Sequence, residues 1–116
     1  MLLPTSTLRK SLGATADVAR LWFESRTAAT LRSQFSKKGG LKDTGAGAVY
    51  VYFGNDGSVY YVGQTGRKVK ARLHDQTAPH KKASWWENWY RLRFLQVPDA
   101  MDRQILEFLL ILAYSP

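Results

Sequence analysis

Residues 48–63 read AVYVYFGNDGSVYYVG. The first seven, AVYVYFG, are β-branched and aromatic, a composition that suits a pleated, half-buried strand. Residues 58–62, SVYYV, have the same character. Between them Asn55-Asp56-Gly57 is a strong turn signal, so the stretch is expected to form a hairpin. A two-residue turn at Asn55-Asp56 sets Tyr50 opposite Tyr61, and one at Asp56-Gly57 sets Tyr52 opposite Tyr61. Side chains alternate with a period of two, so Tyr50, Tyr52 and Tyr61 share one face in both registers. A three-residue loop would break that arrangement. The second strand is expected to break at Gly63, where the chain turns toward a helix.

Downstream, residues 68–76 (KVKARLHDQ) read as a short helix with Val69 and Leu73 on its buried stripe, and Pro79 follows its end. Residues 89–97, WYRLRFLQV, alternate as a third strand. One face would carry Trp89, Arg91, Arg93 and Leu95, the other Tyr90, Leu92, Phe94 and Gln96. Pro98 and Asp99 open a last helix, with Asp99 as N-cap, running to about Ala113. Upstream, Leu8, Leu12, Val18, Leu21, Trp22, Ala28 and Leu31 recur at loosely helical spacing, so residues 5–35 are expected to hold one or two amphipathic helices, capped at Thr15 or Ser25. The four glycines of KKGGLKDTGAG, residues 37–47, mark a loop. The fold expected is α+β: a small three-stranded, mainly antiparallel sheet flanked by helices. Residues 1–45 form an N-terminal helical extension and loop, and residues 46–116 the domain proper.

The chain of 116 residues is long enough for one compact domain. It has no cysteine, which excludes disulfides, thiolate nucleophiles and cysteine-based metal sites. That absence fits a reducing compartment, so a cytoplasmic location is the expectation. No apolar run approaches the ~20 residues of a membrane span, and no secretory signal is present at the N-terminus. The net charge of +8 is uneven. Residues 66–93 hold eight Lys/Arg against two Asp/Glu, and residues 1–45 eight against three, while the last 23 residues are net negative. Two basic regions on a small domain point to a polyanionic partner, most simply nucleic acid. Trp85, Trp86 and Trp89 lie among Lys81, Lys82, Arg91 and Arg93, a pattern in which an aromatic ring can stack on bases while cations follow phosphates. Two of these tryptophans are expected to close the core, leaving one, Trp86, for nucleic acid.

Glu107 stands inside ILEFLLIL, in a helix apolar nearly all round and therefore expected to be buried. An unpaired buried carboxylate is costly, so Glu107 either pairs with a cation or faces a polar cleft. The histidines His74 and His80 lack a third ligand at a matching position and make a poor zinc site.

Ala48-Val49-Tyr50 and Tyr61-Val62-Gly63 resemble the two halves of the signature of GIY-YIG nucleases, with ten residues between the tyrosines. The segment Gln64 to Leu73 is similar to that family's loop and first helix, where an arginine follows the second tyrosine by ten or eleven positions. Arg72 stands at eleven. Glu107-Phe108-Leu109-Leu110-Ile111 matches the family's late-helix E-x-x-L-I. The sequence departs from the pattern at Ala48, in place of glycine, and at Gln76, where many members carry histidine or tyrosine. The asparagine found in many members beyond the glutamate helix does not occur before Pro116.

The resemblance implies a GIY-YIG-like domain and a metal-dependent endonuclease hydrolysing phosphodiester bonds in DNA. Tyr50 would help activate water, Tyr61 would orient phosphate or water, and Arg72 would neutralise charge on the phosphate. Glu107 would hold one Mg²⁺, or another divalent cation such as Mn²⁺. Gly63 would let a nucleic-acid backbone come close, and Thr65, Arg67, Lys68, Lys70, Lys81, Lys82 and Trp86 would contact it. With no dedicated sequence-reading module, low sequence specificity is expected, on single- or double-stranded DNA. Two alternatives stand beside this: a nucleic-acid-binding module without catalysis, and an interaction domain whose apolar last helix packs against a second copy or a further C-terminal segment.

Overall fold

The computed structural model describes residues 5–35, 45–68 and 79–114. The elements in chain order are helix α1 (Thr5–Ser25), strand β1 (Thr30–Leu31), the short helix α2 (Arg32–Phe35), strands β2 (Ala48–Gly54) and β3 (Val59–Thr65), and 3₁₀ turns at Pro79–Lys82 and Trp86–Asn88. Strand β4 (Trp89–Gln96) and helix α3 (Ala100–Tyr114) complete the order. The strands form one antiparallel sheet in the order β1-β4-β2-β3. The α+β class is as expected. The sheet has four strands rather than three, because Thr30 and Leu31 pair with Leu92 and Arg91 at the edge of β4. Two residues carry no alternation to read, so this strand has no sequence signal.

The central strand β2 is covered on both faces, and its sequence explains how. Odd positions Val49 and Val51 join Phe23, Val62, Leu106 and Leu110 in one core, under α1 and α3. Even positions Tyr50 and Tyr52 join Trp89 and Leu92 in a second core on the opposite face. Residues 5–35 thus contribute Phe23 to the same core as the hairpin.

The hairpin loop is the three-residue one. Gly54 N donates to Ser58 O at 2.8 Å and Gly57 N to Gly54 O at 3.0 Å, with Gly57 at φ +85°, where only glycine sits without strain. The Asp56 carboxylate accepts from Ser58 N and Oγ, which holds its pKa below the ordinary carboxylate value. Yet the tyrosines keep one face. Tyr52 pairs with Tyr61 while Phe53 pairs with Val59, so Tyr60 is an extra residue and its bulge restores the alternation that the loop would break. A second irregularity sets Arg91 opposite Phe53 and Trp89 opposite Gly54. Tyr90 is the extra residue there, and it moves Trp89 onto the face of Leu92 instead of the face of Arg91 and Arg93.

Three other expectations change. Thr15 lies inside α1 and Ser25 at its C-terminal end, where Ser25 Oγ donates to Trp22 O at 2.6 Å, so neither residue starts a helix. The second hairpin strand does not break at Gly63 but continues to Thr65, with Gly63 opposite Tyr50. Helix α3 is not buried all round: Leu106 and Leu110 face the core, but Met101, Ile105, Phe108 and Ile111 are exposed. Its start is as expected, with the Asp99 carboxylate accepting from Asp102 N at 2.9 Å. Among the described residues no helix is long and apolar enough to cross a membrane.

Candidate active site

Tyr50 and Tyr61 are brought together by strand pairing. Their ring centroids lie 6.2 Å apart, and Tyr52 is 5.7 Å from Tyr50 and 6.4 Å from Tyr61. Tyr50 and Tyr52 are fully buried, whereas Tyr61 is half-buried. The Tyr50 ring lies across Gly63. A Cβ at Gly63 would stand 2.8 Å from Tyr50 Cε2 and Cζ and 2.9 Å from its hydroxyl. Glycine in a strand interior often marks such a close approach. The room over Gly63, expected for a nucleic-acid backbone, is taken by this ring.

Trp85 stacks on Tyr61, with centroids 5.6 Å apart and planes 23° from parallel, and also contacts Tyr52 and Tyr60. Trp89 is buried, whereas Trp85 and Trp86 are half-buried. Lys81 Nζ stands 5.4 Å from the Trp86 ring centre. Arg32 of α2 lies over both Trp86 and Trp89, at 5.5 and 4.8 Å, and donates to Trp86 O at 2.9 Å. A guanidinium suits this double task, because its plane stacks on rings while its edge donates. The sequence gives no sign of Arg32, since it is 54 residues away from Trp86.

The end of β3 is a turn built by its own residues. Thr65 is buried and its Oγ1 accepts from Arg67 N at 3.1 Å, while Arg67 O accepts from Gly47 N at 3.0 Å. Arg67, Lys68 and Lys82 are exposed. Arg72 and Lys70, with most of the helix expected over residues 68–76, lie outside the described residues.

Glu107 sits on α3, which packs through Leu106 and Leu110 on the valine face, opposite the tyrosines. It is half-buried, and desolvation raises its pKa above the ordinary glutamate value. No described residue gives it a hydrogen bond or an ion pair, so the cation expected to pair with it is not among them. Four residues earlier on the same helix stripe, Arg103 reaches β3. Its Nε donates to Gln64 Oε1 at 3.2 Å, and its Nη1 donates to Val97 O at 3.0 Å and Pro98 O at 2.7 Å. Gly47, at φ +91°, leaves the space that Arg103 Nη1 fills. An arginine in the first turns of a helix reads as surface charge, so sequence alone does not single out Arg103.

The residues are compatible with one hard cation at Glu107. A carboxylate that burial has partly stripped of water, with no described donor, gains from a positive ion. Magnesium is commonly held by one or two carboxylates with waters in its other positions. Among the described residues no three His, Cys, Asp or Glu side chains gather as a metal cluster.

Comparison of the chain with protein-family models, with curated proteins and with solved structures returns no match.

Proposed function

We propose that the chain is a metal-dependent endonuclease of the GIY-YIG type that hydrolyses phosphodiester bonds in DNA with low sequence specificity. The supporting observation is that the rings of Tyr50 and Tyr61 lie 6.2 Å apart on one sheet face, with Gly63 under the Tyr50 ring. It gives a physical use to both tyrosines and to the glycine of the second motif.

In this reading Tyr50 assists deprotonation of the attacking water. A tyrosine has an unperturbed pKa of about 10, so cations nearby are needed to make it a useful base near neutrality. Tyr61 orients the phosphate or water through its hydroxyl. Arg72 offers a planar, permanently charged fork to the non-bridging oxygens, where charge grows in the transition state. Glu107 is the residue that would hold the divalent cation. A bound Mg²⁺ or Mn²⁺ supplies Lewis-acid stabilisation of the oxygens that gain charge. Arg67, Lys68, Lys81 and Lys82, with Lys70, follow the phosphate backbone as a salt-sensitive contact.

A second reading is favoured by the position of α3. Its packing on the face opposite the tyrosines suits a nucleic-acid-binding module without turnover. One assay separates the two. Plasmid and single-stranded DNA are incubated with the protein, with and without Mg²⁺, alongside Arg72→Ala and Glu107→Gln. The nuclease reading expects metal-dependent nicking that falls at least about 100-fold in both variants. Nicking that persists equally in both rejects the assignment. Salt-dependent binding without nicking selects the binding module.

A further inference from the structure

Helices α1 and α3 lie side by side on the valine face of the sheet. Their inner sides fill the core, and their outer sides do not look like the surface of a basic monomer. Val18, Leu21 and Trp22 of α1 and Met101, Ile105 and Phe108 of α3 each keep between 44% and 67% of their surface exposed. Between the helices runs a groove of about 420 Å³, lined by Leu12 and Thr15 on one side and by Met101, Ile105, Phe108 and Leu109 on the other. A second hollow of about 230 Å³ adjoins it, with Trp22 at its wall.

We propose that this outer face is the interface of a two-fold dimer of this chain. Two observations choose a second copy as the occupant. The first is area. At roughly 100 Å² apiece, the six side chains offer on the order of 600 Å² of apolar surface. That stands at the upper end of the ~300–600 Å² of the largest patches on monomers, and approaches the ~800 Å² that a stable complex takes from each partner. The second is charge. The segments Thr5–Ser25 and Ala100–Tyr114 hold Arg9, Lys10, Arg20 and Arg103 against Asp17, Glu24, Asp102 and Glu107, four against four. The helix layer is therefore neutral, and the whole excess of +8 lies in the remainder of the chain. A polyanion gains nothing on a neutral layer. Two copies meeting there put no like charge in excess against each other and keep their basic regions outside the contact.

Shape agrees with a two-fold contact. In an isologous interface the same ridge and the same groove occur on both copies, so the α1 ridge at Val18 and Leu21 can fill the partner's groove twice over. Trp22 and Phe108 are large aromatics of the kind that dominate such interfaces.

The test is sedimentation velocity on the full chain over about 1–100 µM, which brackets the micromolar affinity range. The wild-type chain is expected to sediment as a dimer at the upper end. Phe108→Glu is expected to raise the dissociation constant at least about thirtyfold, the loss that follows truncation of a central anchor. Met101→Glu, at a more exposed position, gives the same readout should the first variant fail to fold, which near-UV circular dichroism reports. A monomer at every concentration overturns the proposal. So does a dimer that neither substitution weakens, because its interface then lies elsewhere. The proposal is independent of the nuclease reading, since neither substituted side chain belongs to that site.

Discussion

Replacing Gly63 by alanine puts one methyl group against the Tyr50 ring. The added Cβ would lie 2.8 Å from Cε2 and Cζ and 2.9 Å from the hydroxyl oxygen. Carbon atoms in contact prefer about 3.5–4.0 Å, so the ring or the strand must yield by roughly 1 Å. Neither can do so easily. Tyr50 has no exposed surface, its ring is flanked by Tyr52 and Tyr61, and Gly63 is paired with it in the ladder. Overpacking of this kind costs about 1–3 kcal/mol. Alanine in an extended strand recovers about 0.4–1 kcal/mol by restricting the unfolded chain. The net expectation is a loss of about 1–2 kcal/mol, or a fall of roughly 5–10 °C in Tm for a domain of this size. Urea unfolding of Gly63→Ala, Tyr50→Leu and the double variant measures it. Because leucine vacates the space over residue 63, the double variant should lose less than the two single losses added, by about 1 kcal/mol. A Gly63→Ala protein as stable as wild type, or strict additivity in the cycle, would refute the close approach of Tyr50 to Gly63.

Arg103→Met keeps an apolar stem but removes the donors to Gln64, Val97 and Pro98. It should cost about 2–3 kcal/mol in urea unfolding, because two carbonyls and an amide lose a charged partner, and Arg103→Lys should recover less than half. Glu107 has its folded-state pKa raised by desolvation, so the folded state holds that proton more tightly than the unfolded chain. Its contribution to stability is therefore present below the ordinary glutamate pKa and is lost as pH rises from there through the raised folded value. Glu107→Gln should remove that decline from the stability-against-pH curve, and a curve of unchanged slope in this window would contradict the placement. Tyr114 is pushed up by burial first, then by its 2.9 Å hydrogen bond to Glu24 and by that carboxylate's charge. The same sign holds. Its contribution is complete below the ordinary tyrosine pKa of about 10 and is lost as pH rises beyond it, so Tyr114→Phe should flatten the alkaline limb of urea-unfolding midpoints.

The parts of the fold that were legible in the sequence are those that alternation and local hydrogen bonding control. Strand β2 shows both its faces as valines and tyrosines in turn, and Asp99 caps α3 because its carboxylate needs only the amide three residues on. What escaped depends on contacts far along the chain. The pairing of Thr30 with Leu92 joins residues that share no local pattern. The bulges at Tyr60 and Tyr90 insert one residue each, and no residue type marks that insertion. The apolar run of α3 reads as a buried helix whether its outer side meets this chain or another one. For the candidate site, the tyrosine face was legible and the role of Gly63 was not, because a strand glycine that admits a ring looks like a glycine that starts a turn.

The two halves of the proposed site lie on opposite faces of one sheet, and the strand between them decides what substrate could reach both. Among the described strands, β3 ends the sheet. From one face, the Tyr50 hydroxyl extends over Gly63 of β3. From the other, Arg103 reaches Gln64 of β3, and Glu107 follows one helical turn later on the same stripe, ahead of Tyr114, which meets Phe53. The Tyr50 hydroxyl and the Arg103 guanidinium therefore meet adjacent residues of one strand, Gly63 and Gln64, from its two faces. A flat contact on either face alone would leave one half unused. In the nuclease reading a phosphodiester served by both halves would lie at the β3 end of the described sheet, and the buried Tyr50 would have to become accessible there. Crowding that end should then separate cleavage from binding. A bulky substitution at the exposed Gly66, which removes no charge and whose Cβ would stand 3.4 Å from Arg103 Nη2, should depress kcat more than it weakens DNA affinity measured without metal. Equal losses in both would place the substrate on one face instead, and with it the binding module rather than the nuclease.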